Sequence, residues 1–193
     1  MKVEIAKYIS IIGHPLITLP LFTIITLFNY EDFQRAFLIS SLIVGGIFIP
    51  LTIKMYRGTK HGKYTNFDVS DKSQRQSWYL FALILLLIVT IIMYATEQAP
   101  TLRLKILFAF LLLLTSQVIN YFIKSSLHVS LNIFLSFLIL PINMPIGILF
   151  FVFVAFIAWS RLILNRHTLK EIIVGAIIGF IIGFASFCTS ELL

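Results

Sequence analysis

The stretch Leu169–Cys188, LKEIIVGAIIGFIIGFASFC, decides the fold. Beyond Glu171 it carries no charge, and as a helix it is long enough to cross a hydrocarbon core, which takes about 20 residues. Gly175, Gly179 and Gly183 recur every four residues along it. They line one helix face with a smooth stripe, the surface on which a second helix approaches closely in a membrane. The spacing does not say whether that helix belongs to the same chain or to another copy, so a homo-oligomer through these glycines is one of two readings.

Six more apolar stretches precede it, at Ser10–Phe28, Ala36–Met55, Trp78–Ala95, Leu104–Ile123, Leu127–Leu140 and Pro145–Trp159. The one at Leu127–Leu140 is short for a full span and is expected to be shielded by its neighbours. The Pro141–Pro145 segment after it reads as a tight hairpin. Hydrophobic residues make up 59% of the chain and charged residues 12%, against roughly 45–50% and 25% in soluble domains. A soluble core of this composition would leave its apolar surface in water. The reading is therefore an all-α polytopic membrane bundle of about seven transmembrane helices, one integral membrane domain over residues 1–193. No linker or internal repeat divides it, and no nucleic-acid partner is implied. The N-terminal run reads as a first span and not as a cleavable signal. The single cysteine, Cys188, reads as a small buried or lipid-facing hydrophobe.

Seven crossings put the two termini on opposite sides. Of the 15 Lys and Arg residues, twelve then fall on the N-terminal side and three (Arg35, Arg103 and Lys105) on the other. The excess of cations predicts a cytoplasmic N-terminus in the cell (inner) membrane.

The polar residues collect in three clusters. Asp68–Arg75 follows the second span, Lys124–His128 the fourth, and Ser160–Glu171 the sixth. All three fall on the N-terminal side, each at the start of an odd-numbered helix. A helix N-terminus carries unpaired N–H groups and a partial positive charge, so it suits an anion. With Asp71 as N-cap, Lys72 and Arg75 stand in the first helical turn, where they oppose the dipole unless an anion is near. Arg supplies a bidentate fork for a phosphate and Lys a point charge. His128 and His167 lie at the membrane edge with the acid–base range catalysis uses. His14, within the first span, reads as a buried hydrogen-bonding residue or as a group backing the site, with the structural reading preferred. Thr168-Leu-Lys-Glu171 matches a capping box. The cations Lys54, Arg57, Lys60 and Lys63 read as topology anchors. Ser116, Gln117 and Asn120 are expected to hydrogen-bond between helices or to back the site. No histidine pair has metal-site spacing, so no metal and no cofactor are expected.

Ser160-Arg161-x5-His167-x3-Glu171 resembles the third signature, SRxxxxxHxxxD, of the type-2 phosphatidic acid phosphatase superfamily. Ser125-Ser126-Leu127-His128 is similar to the second signature, PSGH. Arg75 alone carries the likeness to the first, KxxxxxxRP. A His-Pro opening the first span, as His14-Pro15 does here, is similar to small bacterial membrane members. The resemblance implies a six-helix core and a metal-free phosphatase of lipid phosphates or polyprenyl diphosphates. It further implies His167 as the nucleophile that becomes phosphohistidine, His128 as general acid and Glu171 as the orienting carboxylate. Arg75, Arg161, Lys72 and Ser126 would bind the phosphate. This chain departs from the pattern at Asp68 (for Lys), Gln76 (for Pro), Leu127 (for Gly) and Glu171 (for Asp). Two alternatives stay open: a lipid phosphotransferase, and a non-catalytic headgroup-binding or assembly subunit on the same scaffold.

Overall fold

A computed structural model describes residues 1–65, 67–69 and 71–190, apart from the side chains of Lys72 and Ser73. All regular structure among the described residues is helical: α1 Lys2–Ile12, α2 Pro15–Tyr30, α3 Phe33–Ile43, α4 Ile49–Lys60, α5 Lys72–Ala95, α6 Pro100–Asn120, α7 Leu127–Ile139, α8 Met144–Ile163 and α9 Leu169–Ser190. A π turn at Val44–Phe48 joins α3 and α4 into one 28-residue helix, Phe33–Lys60. This helix, α5, α6, α8 and α9 are long and apolar enough to cross a membrane, and the broken pair α1–α2 makes a sixth candidate. The molecule is a helical membrane bundle. Its outward residues fit lipid: Leu149, Val152, Phe156, Ile181 and Phe184 are all exposed. Cys188 is exposed among them, which selects the lipid-facing reading.

Two departures from the hydropathy reading have local causes. The first apolar run is not one helix. Gly13 and His14 close α1, donating to Ile9 O and Ile11 O, and Pro15 opens α2, where its missing N–H costs nothing. The fifth stretch, α7, has 13 residues, a rise of about 20 Å against a core of about 30 Å. Apart from Leu131, every residue from Leu127 to Leu138 is buried, so its neighbours shield it as expected.

The chain, read as one domain, divides into two compact units: Met1–Pro15 with Glu97–Leu193, and Leu16–Thr96. In the first unit α7 is the centre. The Gly175–Gly179–Gly183 stripe of α9 faces it: a Cβ on Gly179 would stand 2.5 Å from Ser130 O, and one on Gly183 2.5 Å from the Phe137 ring. Residues of α7 and its N-cap in the same chain stand against all three glycines. Val129, Ile133, Phe137, Val154 and Ile172 form the apolar core, with the Phe137 ring edge-on to Phe151 and Phe180.

In the second unit, Asp32 caps α3 by accepting from the N–H groups of Gln34 and Arg35. Gly46, in the π turn, lies under Val89 of α5. Lys54 donates to Ser77 O at 3.2 Å and stands over the Phe81 ring.

Candidate functional site

The third polar cluster is built by two helix ends. At the end of α8, Arg166 N–H donates to Arg161 O (3.0 Å) and Asn165 N–H to Leu162 O (3.0 Å). This bond pattern is the Schellman closure of a helix, and it needs a left-handed residue at Asn165. Asn165 has φ 51°, a conformation that asparagine tolerates. The closure explains the spacing of Arg161 and His167: the six-residue step is one helix stop. Thr168 then starts α9. Its hydroxyl accepts from Glu171 N–H (3.3 Å), and the Glu171 carboxylate accepts from Thr168 N–H (3.2 Å). That reciprocity is the capping box predicted from sequence.

The same carboxylate oxygen, Oε2, lies 2.9 Å from His167 Nδ1. A carboxylate accepts only from a protonated ring nitrogen, so the pairing puts a hydrogen on Nδ1, and in the neutral imidazole Nε2 then holds the lone pair. Lys124 Nζ is 3.7 Å from Oε2 and donates to Arg166 O at 2.7 Å. Behind this pair, Ser126 N–H donates to Glu171 O (3.1 Å). The approach depends on Gly175, where a Cβ would stand 2.6 Å from Ser126 O. The starts of α7 and α9 therefore sit at one level, and the second and third polar clusters meet at one end of this unit. Ser125 and Ser126 are fully buried there.

His128, in the first turn of α7, is buried. Its ring meets His14 at 4.7 Å between centroids, with the planes 85° apart. Arg161, 1% exposed, is the largest of the fully buried side chains among the described residues, and its Nη1 donates to Ser10 Oγ at 2.6 Å.

The first unit thus brings together His167, Glu171 and Ser126, and holds His128 and Arg161 on its α7 and α8. Arg75 belongs to the second unit, where it is buried with its guanidinium 5.5 Å from the Tyr79 ring. Asp71 accepts from Gln74 N–H there, as the expected N-cap of α5. The side chain of Lys72 lies outside the described residues. The interhelical hydrogen bonds expected of Ser116 and Asn120 are not made among the described residues: the Ser116 hydroxyl and both amide atoms of Asn120 are buried without a partner there. Sequence reading missed Ser10 and Gly13 as neighbours of the clusters, and it gave Lys124 no partner. For Lys124 a signal existed, since it opens the Lys124–His128 cluster.

Comparison with protein-family models, with curated proteins and with solved structures finds no match.

Proposed function

We propose that the protein is a membrane phosphatase of lipid phosphates or diphosphates that works through a phosphohistidine. The observation that carries this reading is the 2.9 Å contact of His167 Nδ1 with Glu171 Oε2. A buried imidazole oriented by a carboxylate at a membrane-edge helix start is a nucleophile's arrangement. In the proposed reaction His167 Nε2 attacks phosphorus and the bond to the lipid oxygen breaks. His128 gives that oxygen its proton. Water then attacks phosphorus and gives a proton back to His128, the phosphorus–Nε2 bond breaks, and inorganic phosphate leaves. Arg161, with Ser126 beside the pair, supplies charge and donors for the phosphoryl oxygens, the main means of catalysis in such transfers. The proposal rests on the first unit alone. The likeness of Ser160–Glu171 and Ser125–His128 to the phosphatidic acid phosphatase signatures supports the same assignment. The cation excess supports a cytoplasmic N-terminus and a cytoplasmic active face in the cell membrane.

The test is phosphate release by the purified protein in detergent, with chelator, from a panel of phosphatidate, phosphatidylglycerol phosphate and polyprenyl diphosphate. Release that persists under chelation and falls to background in His167→Ala is expected. A folded protein that releases phosphate from none of them is a headgroup binder or a transferase instead.

A further inference from the structure

Three residues at the break between α1 and α2 contact the helices that carry His128 and Arg161. Ser10 accepts from Arg161 Nη1 at 2.6 Å. Gly13 packs so closely on α8 that a Cβ there would stand 2.5 Å from the Ile157 side chain. Gly13 O accepts from Asn132 Nδ2 at 2.9 Å, and the same amide donates to His128 O at 2.7 Å. Asn132 therefore ties the backbone of His128 to Gly13 at the break, a residue 119 positions before Asn132 in sequence. His14 then lays its ring edge to face with His128. An ionisable side chain within a membrane span is costly and marks a functional site by default, and His14, half-buried, stands at a break in the first apolar run. An apolar residue at position 14 would fill this space without bringing a second imidazole beside the first.

We propose that His14 is a positioning residue for His128: held by the Gly13–Asn132 bracket, its ring fixes the His128 imidazole in the orientation from which it protonates the leaving oxygen. The inference rests on the phosphatase reading and adds to it a residue from the N-terminal segment. A general acid matters in proportion to how badly the leaving group needs a proton. An alkyl or lipid phosphate needs one, whereas p-nitrophenyl phosphate, with its stable phenolate, does not. A merely structural residue harms both substrates alike.

The experiment compares wild type, His14→Gln and His14→Phe on a short-chain phosphatidate and on p-nitrophenyl phosphate. Elution in detergent serves as the folding check. His14→Phe keeps the ring packing and removes the nitrogens. The expected result is a kcat loss of about 10- to 100-fold on phosphatidate in His14→Gln, part of the roughly 10²–10⁴ that general acid catalysis supplies, with His14→Phe, which keeps the ring contact, within about threefold of wild type. KM should stay near wild type, and p-nitrophenyl phosphate should be hydrolysed within about threefold of wild type. Equal losses on both substrates in His14→Gln, no loss on either in that variant, or failure of both variants to fold overturns the inference and assigns His14 to packing. A wild type inactive on both substrates and on the phosphatidylglycerol phosphate and polyprenyl diphosphate of the panel overturns the phosphatase reading itself, a result distinct from the others.

Discussion

A single oxygen, Oε2 of Glu171, closes the capping box of α9 and orients His167. The two roles of Glu171 visible in the sequence are therefore one geometry, and substitution separates them. Thr168→Ala removes the hydroxyl half of the box. It should lower stability by about 1 kcal/mol, the usual worth of such a cap, while phosphate release stays within a few-fold. Glu171→Gln keeps an oxygen for the cap and loses the charge that fixes the imidazole. It should cost about 10²–10⁴ in kcat with little change in stability. Thermal unfolding and phosphate release on the same two preparations check this, and a Thr168→Ala protein as inactive as Glu171→Gln would sink it. The pair was legible in the sequence because its members are three and four residues apart, within one helical turn. Lys124 reaches Arg166 O across 42 positions, and Ser10 reaches Arg161 across 151. No local periodicity carries contacts of that range.

Among the elements, α7 and α9 show how a 13-residue helix is held inside a membrane bundle. Gly175 faces Ser126, Gly179 faces Ser130 and Gly183 faces Phe134 and Phe137. The order rises on both sides, so the two helices run parallel, backbone nearly against side-chain-free backbone. A methyl on Gly179 would meet Ser130 O and Cα, atoms that cannot rotate away. Gly179→Ala should therefore destabilise the protein by about 1–3 kcal/mol, as overpacking does. Gly45→Ala is the control. Nothing lies within 4 Å of its added Cβ, and it should be neutral or gain up to about 1 kcal/mol from helix propensity. Unfolding midpoints in detergent read both, and equal midpoints for the two variants would refute the packing argument. The stripe was plain from its four-residue repeat, but its partner was not, since close approach looks the same within a chain and between chains. The α1–α2 break has the opposite history. Gly13-His14-Pro15 spelled a helix stop, yet the apolar run continued across it, and hydropathy is blind to backbone punctuation.

At the scale of the whole molecule, the parallel α7 and α9 bear on orientation. Ser126 N–H on Glu171 O sets their N-terminal ends at one level, so Lys124, Arg161, Arg166 and Lys170 gather at one end of the first unit. Arg103 and Lys105 open α6, a 21-residue span away from its close at Asn120 beside the Lys124 cluster. The cation excess that the sequence shows over seven crossings thus recurs inside one unit, where it does not depend on counting α7 as a full span. Cations that bind a phosphate weaken the argument from charge, but Lys124 and Lys170 are not among the proposed clamp. The cluster end should face the cytoplasm and the end of α9 the opposite side. Alkaline phosphatase fused after Leu193 should then be active, and a fluorescent protein fused there should stay dark. The reverse pattern would move the His167 face to the outer leaflet and leave its geometry unchanged. The substrate would then be a lipid presented outside the cell, and the choice between phosphatidate-like and polyprenyl diphosphate substrates would have to be tested from that side.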